Sequence, residues 1–311
     1  MTAGGKIAFC FPGQGSLEAG MGREIAEAVP VSMEVFERAS EAAGLDLIHL
    51  CFDAPEEELV DTEVQQPALV ATSLALLEAV RSRGIKPDFV IGHSVGEFAA
   101  VAASSMVKLE EAIGLVRARG VAMAEAARRQ PGSMAAILGL DDEAVERICR
   151  RIKNVWLANY NCPGQVVVSG KNAAVERAIG IAGEMGARRA VKLRVSGAFH
   201  SPMVARAADR FRPSLELARF SEPVFPFMST VTARLETARQ MGPLLLEQLT
   251  APVRFTQAAQ ALIQQGVHTF VEIGPGNVLS GLVKRIDRDA RTISVSTPES
   301  LEKLEETLAA V

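Results

Sequence analysis

The chain has 311 residues, 48% of them hydrophobic and 23% charged, with a formal net charge of −4. That length supports about two folding units with a sizeable core, and the absence of a basic excess argues against nucleic acid as a main partner. No stretch approaches the ~18 apolar residues of a membrane span, and Cys10, Cys51, Cys149 and Cys162 have neither metal-site nor disulfide-framework spacing, so a cytoplasmic chain with reduced thiols, no metal and no membrane partner is expected.

Lys6 to Phe11 reads as a buried strand that ends at Pro12-Gly13-Gln14-Gly15-Ser16, a loop whose two glycines let the backbone run close to a ligand. A dinucleotide fingerprint would need another glycine at position 18, which is Glu18. Helical spacing predicts one helix from Met21 to Gly44 and another from Gln66 to Arg81, broken by Gly84-Ile85-Lys86-Pro87. Phe89-Val90-Ile91 then leads as a strand into Gly92-His93-Ser94-Val95-Gly96, and an alanine-rich helix leads out. This G-x-S-x-G pattern is a nucleophile elbow, in which a strand turns sharply into a helix and leaves the serine hydroxyl at the apex. The helix's unpaired N–H groups lie where an oxyanion would form, an arrangement suited to acyl transfer. From Leu109 to Ala127 a further helix carries Arg117 and Arg119 on different faces, so at most one enters a site there.

Beyond Gln130-Pro131-Gly132 the pattern changes. Strand Ser133–Leu138, helix Asp141–Ile152, strand Val155–Tyr160, strand Gln165–Ser169, helix Ala173–Met185 and strand Ala190–Val195 give the order β-α-β-β-α-β of a ferredoxin-like unit. Asp141 suits an N-cap and Gly186 a helix stop. The fold class is therefore α/β: a large α/β-hydrolase-like catalytic domain with a mostly parallel sheet, residues 1–129 and 197–311, and a small ferredoxin-like domain, residues 130–196, with the substrate cleft between them. Ser196-Gly197-Ala198-Phe199-His200-Ser201-Pro202 leaves the insert at that junction, which makes His200 the candidate base. His49 sits in an amphipathic stretch, His268 opens a strand, and His93, next to Ser94, should point elsewhere. Val267–Ile273 reads as a strand into Gly274-Pro275-Gly276, followed by helix Val278–Ile286 and a terminal helix Pro298–Val311.

Phe-Pro-Gly-Gln-Gly-Ser at 11–16, Gly-His-Ser-Val-Gly-Glu at 92–97, Arg119, Gly-Ala-Phe-His-Ser at 197–201 and Glu-Ile-Gly-Pro-Gly at 272–276, in that order, resemble the malonyl-CoA:acyl carrier protein transacylases over nearly the whole chain. The resemblance implies a Ser-His dyad: Ser94 as the nucleophile that becomes malonylated, and His200 as general base, oriented by the backbone carbonyl of Gln248. It further implies an oxyanion hole from the backbone N–H groups of Gln14 and Val95, and a grip on the malonyl carboxylate by Arg119. Phe199 matches the malonyl-selecting variant, and Asn161 the pantetheine side of the cleft. The reaction so implied is ping-pong malonyl transfer from coenzyme A through Ser94 to the phosphopantetheine thiol of an acidic acyl carrier protein, for fatty-acid or polyketide extension, with no cofactor; a monomer is expected. Arg188, Arg189, Lys192 and Arg194 are candidates to attract that carrier. The alternative is a serine hydrolase or thioesterase of small acyl thioesters, which predicts an acidic partner for the histidine and gives Arg119 no purpose.

Overall fold

The structure, a computed structural model, describes residues 5–309. From the N-terminus it runs through strand β1 (Lys6–Phe11), a single 3-10 turn at Gln14–Ser16, and helices α1 (Arg23–Ala28), α2 (Pro30–Ala43), α3 (Leu47–Phe52), α4 (Glu56–Leu59) and α5 (Thr62–Ser82). Strand β2 (Phe89–Gly92) leads into α6 (Gly96–Ala103) and α7 (Leu109–Arg129). Next come β3 (Ser133–Leu138), α8 (Asp142–Arg151), β4 (Val155–Cys162), β5 (Gln165–Gly170), α9 (Asn172–Glu184) and β6 (Arg189–Lys192). The remainder comprises α10 (Ala205–Leu217), β7 (Phe227–Met228), β8 (Leu235–Glu236), α11 (Ala238–Glu247), α12 (Phe255–Gln264), β9 (Val267–Ile273), α13 (Val278–Ile286), β10 (Arg291–Val295) and α14 (Pro298–Ala309). Among these residues no helix is long and apolar enough to cross a membrane.

Six strands form one sheet in the order β10-β9-β1-β2-β7-β8, parallel throughout except for the last pair. Its side chains alternate between two cores, as the period of two in a strand requires. Phe9, Phe11, Val90 and Val271 face one core, shared with α2, α5, α6 and α7; Ala8, Cys10, Phe89, Ile91 and Phe270 face the other, against α12 and α13. Burial on both faces explains why β1 and β2 read as continuous apolar runs. Because β1 pairs with β2 on one side and β9 on the other, the loops at the C-terminal ends of these three strands converge.

The second sheet is antiparallel, in the order β4-β5-β3-β6, the arrangement expected of a β-α-β-β-α-β unit. One face is sealed by α8 and α9, with Ala135, Ile137, Val166 and Val168 packed on Val145, Ile148 and Val175. Residues of its opposite face, Met134, Ala136 and Val167, line a cavity that also reaches Ser94. Asp141 caps α8 by accepting from the Ala144 amide at 2.7 Å, and Gly186 takes the left-handed conformation (φ +86°) after α9.

Several expected bounds move. The helix predicted from Met21 to Gly44 is two helices: Val29 is extended (φ −127°, ψ 103°) ahead of Pro30, which opens α2, because a residue before proline is pushed out of the helical region while proline fits the first helical position. The helix expected to start at Gln66 begins at Thr62 and carries Pro67 inside it. Proline removes the N–H that would reach the Glu63 carbonyl, and Arg117 Nη1 donates to that carbonyl instead, at 2.7 Å. The last strand of the small sheet ends at Lys192, short of Val195. The terminal helix is described to Ala309, and positions 310 and 311 lie outside the described residues.

Candidate active site

Ser94 is held in the left-handed region (φ 52°) between β2 and α6. That conformation is costly for a residue with a side chain and persists only where its surroundings enforce it. Here they do: a Cβ at Gly92 would lie 2.2 Å from the Gly96 carbonyl carbon, and one at Gly96 only 2.1 Å from the Phe11 carbonyl oxygen. Glycine at both positions lets the elbow close on itself and press against the end of β1.

His200 comes from the loop that leaves the small sheet and also has a positive φ, 55°. The loop is fixed by Ser201, whose Oγ donates to the Ala198 carbonyl (2.6 Å) and accepts from the Met203 amide (3.3 Å). His200 Nε2 lies 2.7 Å from Ser94 Oγ, and Nδ1 faces the carbonyl oxygens of Gln248 (2.9 Å) and Ala251 (3.1 Å). Carbonyls only accept, so Nδ1 carries the hydrogen and Nε2 presents its lone pair to the serine hydroxyl. Burial, then the charge of Arg119, then His93 lower the His200 pKa to about 3, against the pull of the two carbonyls. The imidazole is therefore neutral at physiological pH. No carboxylate touches it among the described residues.

Of the two arginines on α7, only Arg119 enters the site. It is fully buried; Nη2 donates to Ser94 Oγ (3.2 Å) and Gln248 Oε1 (2.9 Å), Nη1 donates to Gln66 Oε1 (2.6 Å), and the guanidinium lies over the Phe98 ring. Burial depresses its pKa and the nearby Glu97 carboxylate opposes the fall. Gln14 sits in the 3-10 turn after β1, tethered through its side chain to Thr62 Oγ1 at 2.9 Å. A Cβ at Gly13 would come within 2.8 Å of the His93 carbonyl oxygen, so this loop lies directly against the elbow. The backbone N–H groups of Gln14 and Val95 have no acceptor among the described residues.

These loops and the open face of the small sheet enclose a cavity of about 240 Å³ that Ser94, His200, Phe199, Asn161 and Gln165 all line. A larger cleft of about 600 Å³, between Arg38, Arg81, Lys108 and Arg219, contains no histidine or cysteine and none of these site residues. Among the described residues no group of three or more metal-ligating side chains gathers. One expectation fails: His93 does not point away. It lines the cavity, with Nε2 2.9 Å from Asn161 Oδ1, and burial lowers its pKa. The tight glycine approach at Gly13 leaves room for its ring beside Ser94. Three further buried polar residues, Gln66, Glu97 and the Gln248 side chain, were not expected at the site. Arg188, Arg189, Lys192 and Arg194 are exposed, and Lys192 pairs with Glu176.

A family model described as acyl transferase domain matches residues 8–299. The malonyl CoA-acyl carrier protein transacylase of Bacillus subtilis is 45% identical, with 97% of each chain covered, and that of Haemophilus influenzae is 39% identical, with 97% of this chain and 99% of the other covered. The crystal structure of the corresponding Clostridium perfringens enzyme superposes with a TM-score of 0.94 at 38% identity over 98% of both chains. A malonyl-transacylase solved in complex with its type II PKS acyl-carrier protein gives 0.94 at 39% identity, covering 97% of this chain and 99% of the other. With its elbow serine, buried arginine and two-sheet architecture already in place, the chain belongs to the acyl transferase domain family, among the malonyl CoA-acyl carrier protein transacylases.

Proposed function

We propose that this protein transfers malonyl from coenzyme A to the phosphopantetheine thiol of an acyl carrier protein, through a malonyl ester on Ser94. The observation that carries the reading is one oxygen with two neighbours: Ser94 Oγ lies 2.7 Å from the basic nitrogen of His200 and 3.2 Å from a buried arginine. A malonyl group has its carboxylate only two carbons from the reacting carbonyl, so a cation that selects it has to stand about this close to the nucleophile.

In the first half-reaction the Ser94 hydroxyl gives its proton to His200 Nε2 while Oγ attacks the thioester carbonyl. The oxyanion is received by the N–H groups of Gln14 and Val95, donors that need no reorganisation. Collapse breaks the carbon–sulfur bond, and the departing thiolate takes the proton from His200. The second half-reaction is the reverse, with the carrier's thiol as nucleophile and its proton passing through His200 to Ser94. The Gln248 and Ala251 carbonyls keep Nδ1 protonated and stabilise the transient imidazolium. Arg119 holds the malonyl carboxylate, Phe199 shapes the acyl end of the cavity, and Asn161, on the unit formed by residues 130–196, guides the pantetheine arm. Every proton and electron pair is accounted for by the serine, the histidine and the thiols, so the reading calls for no cofactor. A cytoplasmic location belongs to the same reading, which the four free thiols support.

The test is intact-mass measurement after incubation with malonyl-CoA: the wild type gains a malonyl adduct and Ser94→Ala gains none. An adduct of equal yield on Ser94→Ala overturns the assignment.

A further inference from the structure

We propose that Glu97 is a positioning residue for acyl selection, which fixes the Gln248 amide so that Arg119 is held by neutral oxygens and keeps its charge for the acyl carboxylate. The inference rests on the reading of Arg119 as the carboxylate grip. It begins with a buried acid that the mechanism does not use. Glu97 lies in the first turn of α6, is 1% exposed, and does not touch His200. Its Oε1 accepts from the Thr230 amide and hydroxyl (2.5 and 2.8 Å), and its Oε2 accepts from Gln248 Nε2.

That last contact decides which way the Gln248 amide faces. Nε2 is directed at two acceptors, the Glu97 carboxylate and the Ser94 carbonyl (3.0 Å), and Oε1 at a donor, Arg119 Nη2 (2.9 Å). A flipped amide would set oxygen against both acceptors and NH2 against the guanidinium, three unfavourable contacts among buried groups. The same logic fixes Gln66, whose Nε2 donates to Thr62 Oγ1 (2.8 Å) and whose Oε1 receives Arg119 Nη1 (2.6 Å).

Arg119 is thus placed by two amides. Among the described residues it forms no direct ion pair; Glu97 reaches it only through Gln248, close enough to support the buried cation, and Arg119 Nε is left without an acceptor. A carboxylate bonded directly to the guanidinium would satisfy the same donors but cancel the charge that the substrate must find. One amide in between supplies placement without neutralisation.

The experiment measures rates of Ser94 acylation by malonyl-CoA and by acetyl-CoA, with thermal midpoints, for three variants. Glu97→Gln offers Gln248 an NH2 in place of an oxygen and flips its amide, so the malonyl-to-acetyl rate ratio falls about 10-fold. The swap Glu97→Gln with Gln248→Glu rematches donor to acceptor between positions 97 and 248 but puts the carboxylate on Arg119 and leaves the Ser94 carbonyl without its donor. Its midpoint recovers part of the way from that of Glu97→Gln toward the wild type while the ratio falls about 100-fold. Either variant decides alone if the other does not fold. An unchanged ratio in a folded variant, with only the midpoint lowered, makes Glu97 a structural acid and overturns the proposal. Arg119→Ala separates the two levels: an unchanged ratio there removes the carboxylate grip itself, whereas a collapsed ratio there with a wild-type ratio in the swap removes only the role of Glu97.

Discussion

Arg117 and Arg119 are two positions apart on α7, and both reach across to α5. Arg117 keeps 28% of its side chain exposed, donates to the Glu63 carbonyl and lies 3.6 Å from the Glu63 carboxylate. Arg119 is completely buried and meets Gln66, three residues further along α5, through a neutral amide oxygen. Two positions along a helix turn a side chain through about 200°, so the first arginine faces the first turn of α5 and solvent, the second the elbow. A buried cation remains useful only where its partners place it without neutralising it. At the surface a carboxylate partner costs nothing in function, because solvent screens the pair and nothing else requires the charge. In the site, Gln66 and Gln248 hold the guanidinium through neutral amide oxygens, which on the proposed reading leaves its charge for an incoming anion.

The largest effect separating the two follows from deleting the buried one. Arg119→Ala is expected to lower kcat/KM for malonyl-CoA about 10²–10³-fold, the scale of removing one member of a buried charge pair, and to lower acetyl transfer far less. Arg119→Lys keeps the charge but cannot give Nη1 and Nη2 to Gln66, Gln248 and the substrate together, so its loss should be intermediate, about 10-fold to 100-fold. Steady-state kinetics with the two thioesters check both, and a lysine variant as active as wild type would show that charge without the planar fork suffices.

How much of this contrast could be read in the sequence depends on how local its causes are. The elbow was legible because its pattern is local and Gly92 is forced by the backbone of Gly96 and Glu97, although Gly96 is forced by the distant Phe11 and Pro12 carbonyls. The small sheet was legible because turn residues and short strands alternate in a single order. That only one of the two arginines could enter was legible from helical spacing, but which one was indicated only by family resemblance. Gln66, Glu97 and the Gln248 side chain were missed because their partners lie far along the chain: Arg119 meets Gln248 across 129 positions and Gln248 meets Glu97 across 151. Gln66 did leave a signal, since it is a polar residue at the start of a mostly apolar stretch, Gln66 to Leu77, every residue of which is buried in α5. A buried amide there has to find a partner. His93 was misjudged for a different reason: a left-handed Ser94 reverses the usual alternation, so neighbouring side chains can face one cavity.

The two arginines should also differ, by a smaller margin, in their effect on the pH profile. As the proposed base, His200 acts in its unprotonated form, present above its pKa, and burial aided by Arg119 lowers that pKa to about 3. Acylation of the wild type by acetyl-CoA should therefore show no limb near pH 6.5, where an ordinary histidine titrates, between pH 4.5 and 8. Arg119→Ala removes the second-largest cause, so its acid limb moves upward but stays below 6.5, because burial, the largest cause, persists. Arg117→Ala should leave the profile where it is. A wild-type half-drop at pH 6.5 would mean that the imidazole is far better solvated than its burial implies.

The smallest effect belongs to the exposed arginine. Arg117→Ala removes a partly solvated ion pair and the donor that serves the Glu63 carbonyl, left without its helical N–H by Pro67. Water can replace that donor at a partly open position, and the ion pair is screened, so unfolding free energy should fall by about 1 kcal/mol and both acyl-transfer rates should stay within about twofold of wild type. Denaturant titration beside the kinetic assay reads the two quantities separately. A loss of malonyl transfer comparable to that of Arg119→Ala would show that Arg117 holds α5, and with it Gln66, in register for the site. The sharp division between the two arginines would then become a chain of support running from Arg117 through Glu63 and Gln66 to Arg119.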